Sequence, residues 1–202
     1  MTSLTLIRHG ETDWNRAGRI QGTTDIPLND TGRQQARDAA AALRLSLSDS
    51  APVVVVSSDL SRARETAQII AAELGVVAER TYPALRERAY GEAEGLAVDE
   101  FRARYGPWHS AEVPGAETWS DLRTRALRGI RTAVRDVRRA TAPASASLVI
   151  VAHGALIREV LRHVTGGVAP LDGERLPNGG AYGMLYERER LSLRSYAGAP
   201  AS

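Results

Sequence analysis

The sequence predicts a three-layer α/β fold, a mainly parallel central sheet flanked by helices on both faces. Two observations carry that expectation. The runs "PVVVV" at 52–56 and "LVIVA" at 148–152 are β-branched and apolar without alternation, as strands buried on both faces must be. Between such runs lie segments with apolar residues three and four apart, so strands alternate with helices. With 202 residues and no repeat, linker or low-complexity boundary, residues 1–202 read as one domain with a substantial core.

Each element has its own signal. Leu4 to Ile7 is a short, partly β-branched run and predicts the first strand. Thr31 to Gln34 fits a T-x-x-Q capping box opening a helix whose apolar face is Ala36, Ala39, Ala40, Leu43 and Leu47. After "PVVVV", a helix places Ala63, Ala67, Ile70, Ala71 and Leu74 on one face, and "VVAER" at 76–80 predicts a third strand. Residues 88–117 are rich in glycine and aromatics and read as a variable lid with one short helix around 97–105. A long helix from about 118 to 139 buries Leu122, Ala126, Ile130, Ala133, Val134 and Val137, with its arginines on a solvated face. "ATAPASAS" is a loop, "LVIVA" a buried strand, and "HGALIREVLRHV" a helix with Ile157, Val160, Leu161 and Val164 inward. Alternation of Tyr182, Met184 and Tyr186, then of Leu191 and Leu193, predicts a closing hairpin, and "AGAPAS" is expected to fray.

Composition excludes several chemistries. There is no cysteine, hence no thiol nucleophile, disulfide framework or thiolate metal site. All 26 basic residues are arginine, which excludes a P-loop lysine and a Schiff-base lysine. A net charge of +2 gives little reason to expect nucleic-acid binding. No apolar stretch approaches the roughly 20 residues that cross a bilayer, and the apolar run near Met1 is too short for a signal peptide. A cytoplasmic protein without membrane or nucleic-acid partners is the expectation.

One design occurs twice: "LTLIRHG" and "LVIVAHG" each run an apolar strand into a His-Gly pair. Ligands of open parallel sheets bind beyond the carboxyl ends of strands, and the helix mouth at His153 and Gly154 offers free N–H groups to an anion. A third strand leads through "SSDLSRARETA" to Arg62 near a helix start. Arg8, His9, Arg62 and His153 are thus expected to converge on one anion. Two histidines without a matching carboxylate cluster fall short of a metal-ligand set, so no metal is expected.

The blocks "LIRHGETDWN", "GTTDIPLNDTGRQQA", "SSDLSRARETA", "LRERAYGEAEG" and "VAHGALIR", in that order between residue 4 and about 165, resemble the histidine phosphatase superfamily, the phosphoglycerate mutase-like family. The resemblance implies that family's fold, no cofactor and a small phosphorylated substrate. It implies that His9 accepts the phosphoryl group as a phosphohistidine, while Arg8, Arg62 and His153 hold the phosphoryl oxygens. Fixed cations suit the charge spread over three equatorial oxygens in phosphoryl transfer. The attacking imidazole must be neutral, which neighbouring Arg8 favours, whereas His153 is expected to be protonated as an extra cation. Asn15 matches a position that contributes an amide to this pocket. Leu85, Glu87, Gly91, Glu94 and Gly95 match the pattern L-x-E-x-x-x-G-x-x-E-G, which makes Glu87 the implied general acid and then base.

Mutases of the family carry a longer insertion with a lysine and paired arginines for the substrate carboxylate. "GLAVDEFRARYGPWHSAEVPGAETWSDL" has neither, and "PGAETWSDL" resembles the phosphatase branch. The expected function is therefore a metal-independent phosphatase acting on a small phosphomonoester. A mutase is one alternative, because the pair Glu87–Arg88 is shared with mutases. A non-catalytic regulatory or nucleic-acid-binding module using the arginine-rich helix is the other. Tyr105, Trp108 and Trp119 are candidates for the leaving-group pocket or for core packing. Family members commonly pair, so a homodimer is one expectation.

Overall fold

A computed structural model describes residues 1–47, 51–171 and 173–196; the tail expected to fray, 197–202, lies outside them. Among the described residues the chain forms strands β1 (Thr2–Arg8), β2 (Val53–Ser57), β3 (Ala78–Thr81), β4 (Ser147–Ala152), β5 (Ala181–Glu187) and β6 (Arg190–Tyr196). Helices are α1 (Asp13–Arg16), α2 (Asp30–Ser46), α3 (Ser61–Leu74), α4 (Val98–Tyr105), α5 (Trp119–Thr141) and α6 (Gly154–Val164).

The strands form one sheet in the order β3-β2-β4-β1-β5-β6. The four strands from β3 to β1 run parallel, and β5 and β6 add an antiparallel edge. Every residue of β4 is buried, as its continuous apolar run requires. Successive side chains on a strand point to opposite faces. Accordingly Ile7, Val55, Val149 and Val151 pack against α2 and α3. Leu4, Leu6, Leu148 and Ile150 pack with α5, α6 and residues of the lid. This is the expected three-layer arrangement.

The predicted inward faces are buried: Ala36, Ala39, Ala40 and Leu43 on α2, Ala63, Ala67, Ile70 and Ala71 on α3, and all six apolar positions of α5. Several boundaries are corrected. The helix N-cap is Asn29, whose side chain accepts the Gly32 N–H at 2.9 Å, so no capping box forms at Thr31 and Gln34. Asn29 lies two residues nearer the chain's entry and takes the free N–H first. Thr12 and Asn15 form a capping box at α1 instead. β3 starts two residues later than expected, because the Val76 N–H is still bonded to the Ala71 carbonyl at the end of α3. The closing hairpin turns at Arg188 and Glu189, both at positive φ, a conformation usually signalled by glycine or asparagine.

The lid is packed rather than loose. Phe101 of α4 is buried against Tyr105 and Trp108 at ring separations of 5.5 and 4.6 Å, within the same core as α5.

Candidate active site

β1 and β4 are neighbours with Arg8 opposite Ala152, and the His9 N–H extends the ladder to the Ala152 carbonyl at 2.9 Å. His9 and His153 each follow the last residue of their strand. Adjacent strands lie about 4.8 Å apart, and the two imidazole centroids lie 5.1 Å apart. The pairing predicted from two His-Gly strand ends is therefore a direct product of sheet register. The Ser58 N–H bonds to the Val151 carbonyl, which draws the end of β2 alongside and starts α3 with Arg62 at its second position.

Both imidazoles and Arg62 are buried, Arg62 and His153 completely. His9 Nδ1 lies 2.7 Å from the Gly10 carbonyl. A carbonyl only accepts, so Nδ1 carries the proton, and in the neutral ring Nε2 is left with a lone pair. Burial first, then Arg62, then Arg8 push His9 well below the usual histidine range. The neutrality expected of His9 holds, with burial rather than Arg8 as its chief cause. His153 is also driven well below that range, by burial, Arg62, His9 and Arg8. The expectation of a protonated His153 is thereby corrected: a dry ring beside two guanidinium groups is neutral. Neither of its ring nitrogens has a protein partner among the described residues.

Among the described residues Arg62 has no carboxylate at hydrogen-bond distance. Its Nη1 and Nη2 donate to the carbonyls of Thr24 and Gly22 at 2.9 and 2.8 Å. That loop is pinned in turn by Glu94, which accepts from the backbone N–H groups of Thr23 and Thr24, both at 2.9 Å, and from the Thr24 hydroxyl. A Cβ on Gly22 would fall 2.0 Å from Glu94 Oε1, and Gly22 has φ of +56°, so only glycine fits there. Arg8 donates to the Leu176 carbonyl. Gly154 gives Arg8 room, since a Cβ there would sit 3.3 Å from Arg8 Nε.

A cavity of about 290 Å³ opens over these groups. Arg8, His9, Asn15, Arg62, Glu87 and Gly154 line it, and His153 lies buried beside His9 without lining it. Among the described residues Glu87 is the single acid in the lining. Its carboxyl oxygens accept from the Ala155 and Leu156 N–H groups at 3.0 and 3.1 Å, at the start of α6. The two arginines beside Glu87 differ: Arg86 is exposed and pairs with Asp59 at 2.6 Å. Arg88 is buried, donates to the Glu117 carbonyl and lies over the rings of Tyr90 and Trp119 at 4.7 and 4.3 Å. Asn15 Oδ1 accepts from the Thr12 N–H and, at 3.3 Å, from Asn178, which leaves its amide nitrogen for the cavity. Trp108 and Trp119 line the cavity, whereas Tyr105 stacks on Phe101 and lies outside the lining.

Sequence reasoning missed several contributors. Arg125 was assigned to a solvated face, yet it donates to the carbonyls of Ala84, Arg86 and Glu87 and pairs with Glu117 at 2.7 Å, fixing the turn that presents Glu87. Asn178 donates to the His9 carbonyl at 2.9 Å from a loop 169 residues away. Gln21 lines the cavity with its buried Oε1 unpartnered, and Tyr90, Arg158 and Arg175 line it too. Glu94 and Tyr90 had left a trace in the sequence as positions of the glutamate-containing block, and Arg158 as the last residue of "VAHGALIR".

The profile of the histidine phosphatase superfamily (branch 1) matches residues 4–197. The chain is 35% identical to the uncharacterized phosphatase PhoE of Bacillus subtilis, over 97% of this chain and 94% of the relative. It is 33% identical to a metal-independent phosphoserine phosphatase of Arabidopsis thaliana, over 82% of this chain and 69% of the relative. Among solved structures, a mycobacterial glucosyl-3-phosphoglycerate phosphatase in complex with VO3 superposes with a TM-score of 0.80 at 25% identity, covering 98% of this chain and all of the other. The similarity therefore runs through the whole sheet, and the chain belongs to the histidine phosphatase superfamily.

Proposed function

We propose that the protein hydrolyses a small phosphomonoester through a phosphohistidine on His9, without a metal. The observation that carries this reading is the buried, neutral His9, whose Nδ1 is committed to the Gly10 carbonyl so that Nε2 is the nucleophilic nitrogen. In the first step the Nε2 lone pair bonds to phosphorus and the P–O bond to the alcohol breaks. Glu87, the acid lining the cavity, gives its proton to the departing oxygen. In the second step water attacks phosphorus, Glu87 takes the water proton, and the N–P bond breaks to restore the lone pair and release phosphate.

Arg8 and Arg62 supply the charge that stabilises the equatorial oxygens. Among the described residues no group of three or more His, Asp or Glu side chains is placed to hold a metal, so the mechanism assigns that role to guanidinium groups. His153, completely buried beside His9, does not line the cavity, so the phosphoryl contacts fall to Arg8 and Arg62, and His153 packs the His9 ring.

Steady-state hydrolysis of an aryl phosphate tests the reading. Turnover should be unaffected by a chelator and should fall at least about a thousandfold in His9→Ala. Full activity in His9→Ala would overturn it. Isomerisation of 3-phosphoglycerate in the presence of a bisphosphoglycerate primer would favour the mutase alternative.

A further inference from the structure

The two His-Gly strand ends satisfy their backbone groups differently. After His153 the chain enters α6 at once, and the His153 carbonyl takes the Ile157 N–H at 2.9 Å. After His9 the chain runs through Gly10 and Glu11 before α1 begins, so these residues have no helix of their own to take their polar groups. Buried N–H and carbonyl groups need partners. Here side chains supply them.

Two peptide planes follow His9. In the first, the His9 carbonyl accepts from Asn178 at 2.9 Å, and the Gly10 N–H donates to the Thr66 hydroxyl at 3.1 Å. Thr66 is fully buried on α3, and its hydroxyl donates its own proton to the Arg62 carbonyl at 2.7 Å, so a lone pair faces Gly10. In the second plane the Gly10 carbonyl accepts from His9 Nδ1 at 2.7 Å, and the Glu11 N–H donates to Gln35 Oε1 at 2.8 Å. Both planes are thus held at both edges. The packing is close: a Cβ on Gly10 would fall 2.2 Å from the Gly32 carbonyl oxygen, and one on Gly32 would fall 2.2 Å from that of Glu11. Helices α2 and α3 fix the turn between them.

Which ring nitrogen of a histidine carries the proton is set by the hydrogen bonds the ring makes. Nδ1 keeps its proton while the Gly10 carbonyl faces it, and that carbonyl faces it while its plane is held. We propose that Thr66 and Gln35 are positioning residues that keep the proton of the His9 ring on Nδ1, acting through the peptide planes of Gly10 and Glu11. Neither side chain lines the cavity, so both act through His9 rather than on the substrate. The proposal rests on the reading of His9 as nucleophile and deepens it. One buried hydroxyl serves both the Gly10 N–H and the Arg62 carbonyl, which ties the nucleophile to the helical turn that carries a cavity-lining cation.

Nitrogen NMR of isotopically labelled histidine, at neutral pH and without substrate, reads the tautomer, with His9→Ala supplying the assignment. The His9 ring should carry its proton on Nδ1. Thr66→Val keeps the side-chain shape and removes the lone pair that holds Gly10. Gln35→Met removes the acceptor of Glu11 from a half-buried position. Each should shift His9 towards the form protonated on Nε2 and lower kcat/KM for an aryl phosphate about tenfold, the scale of one buried hydrogen bond. Thr66→Ser retains the hydroxyl and should keep the native tautomer and turnover.

An unchanged His9 tautomer in folded Thr66→Val or Gln35→Met would overturn the proposal, even if turnover fell, because a merely structural role lowers activity without moving the proton. So would a Thr66→Ser that behaves like Thr66→Val. Should Thr66→Val not fold, Gln35→Met decides alone by the same criterion. The tautomer is read without turnover, so the two readings separate: a shifted ring with full activity would count against His9 as the nucleophile, not against its positioning.

Discussion

The floor and the rim of the cavity are built by different means. On the floor, His9 and His153 are fixed by the register of two adjacent parallel strands and Arg62 by burial at the start of α3. On the rim, Glu87 and the loops at 22–24 and 174–180 are held by side chains reaching carbonyls and N–H groups far away in sequence: Arg125, Glu94 and Asn178. The difference teaches where function is stored. The floor depends on the same sheet that holds the core, and it needs dry cations and neutral imidazoles together. The rim depends on a few charge-assisted bonds that can be removed one at a time.

The largest effect is expected from breaking the floor. Arg62→Met removes a buried cation that lines the cavity and, on the proposed mechanism, should lower kcat/KM about a thousandfold, in line with the loss of a preorganised charge donor. Circular dichroism checks that the fold persists. A loss of less than about tenfold would mean that the rim, not the floor, carries the phosphoryl charge.

The floor also makes a pH prediction. His9 and His153 stay neutral in the folded chain well below the pH near 6.5 at which the unfolded chain binds protons. In that window the unfolded state takes up protons that the folded state refuses, so stability is full above about pH 6.5 and falls as the pH drops. The slope approaches about 1.4 kcal/mol per pH unit for each buried histidine. Chemical denaturation at pH 7 and pH 5 measures it, and His153→Gln should remove about half of it. A slope unchanged in that variant would contradict the burial of a neutral His153.

The smallest effect sharpens the boundary between the two regions. Glu94→Gln should weaken phosphate binding about tenfold by loosening the loop that receives Arg62, and should add almost nothing in an Arg62→Met background. Additive losses in that double-mutant cycle would show that Glu94 acts on the fold at large rather than through Arg62.

The same division explains what could be read from the amino acids alone. Apolar runs marked β1, β2 and β4 as strands, though not their order in the sheet, and the two His-Gly ends announced the floor, because a strand terminus next to a helix mouth is a local pattern. Arg62 was visible only through its block, since its neighbours Arg64 and Glu65 suggest a surface ion pair. The rim was largely illegible. Arg125 sits among other arginines on a helix whose solvent face looks uniformly charged, and nothing local shows that it reaches three carbonyls at 84–87. Asn178 acts across 169 residues. The protonation of His153 was misjudged because it depends on burial, which charge patterns do not reveal. The hairpin turn at Arg188 and Glu189 uses residues that carry no turn signal.

The central claim is that one nitrogen, His9 Nε2, bears the phosphoryl group in each cycle. Rapid mixing with an aryl phosphate, quenching in alkali where phosphohistidine persists, and peptide mass spectrometry test it most directly. The expected result is a phosphorylated peptide containing His9, formed and consumed at rates that match turnover and absent in His9→Ala. Full turnover with no such adduct at any mixing time would contradict the account.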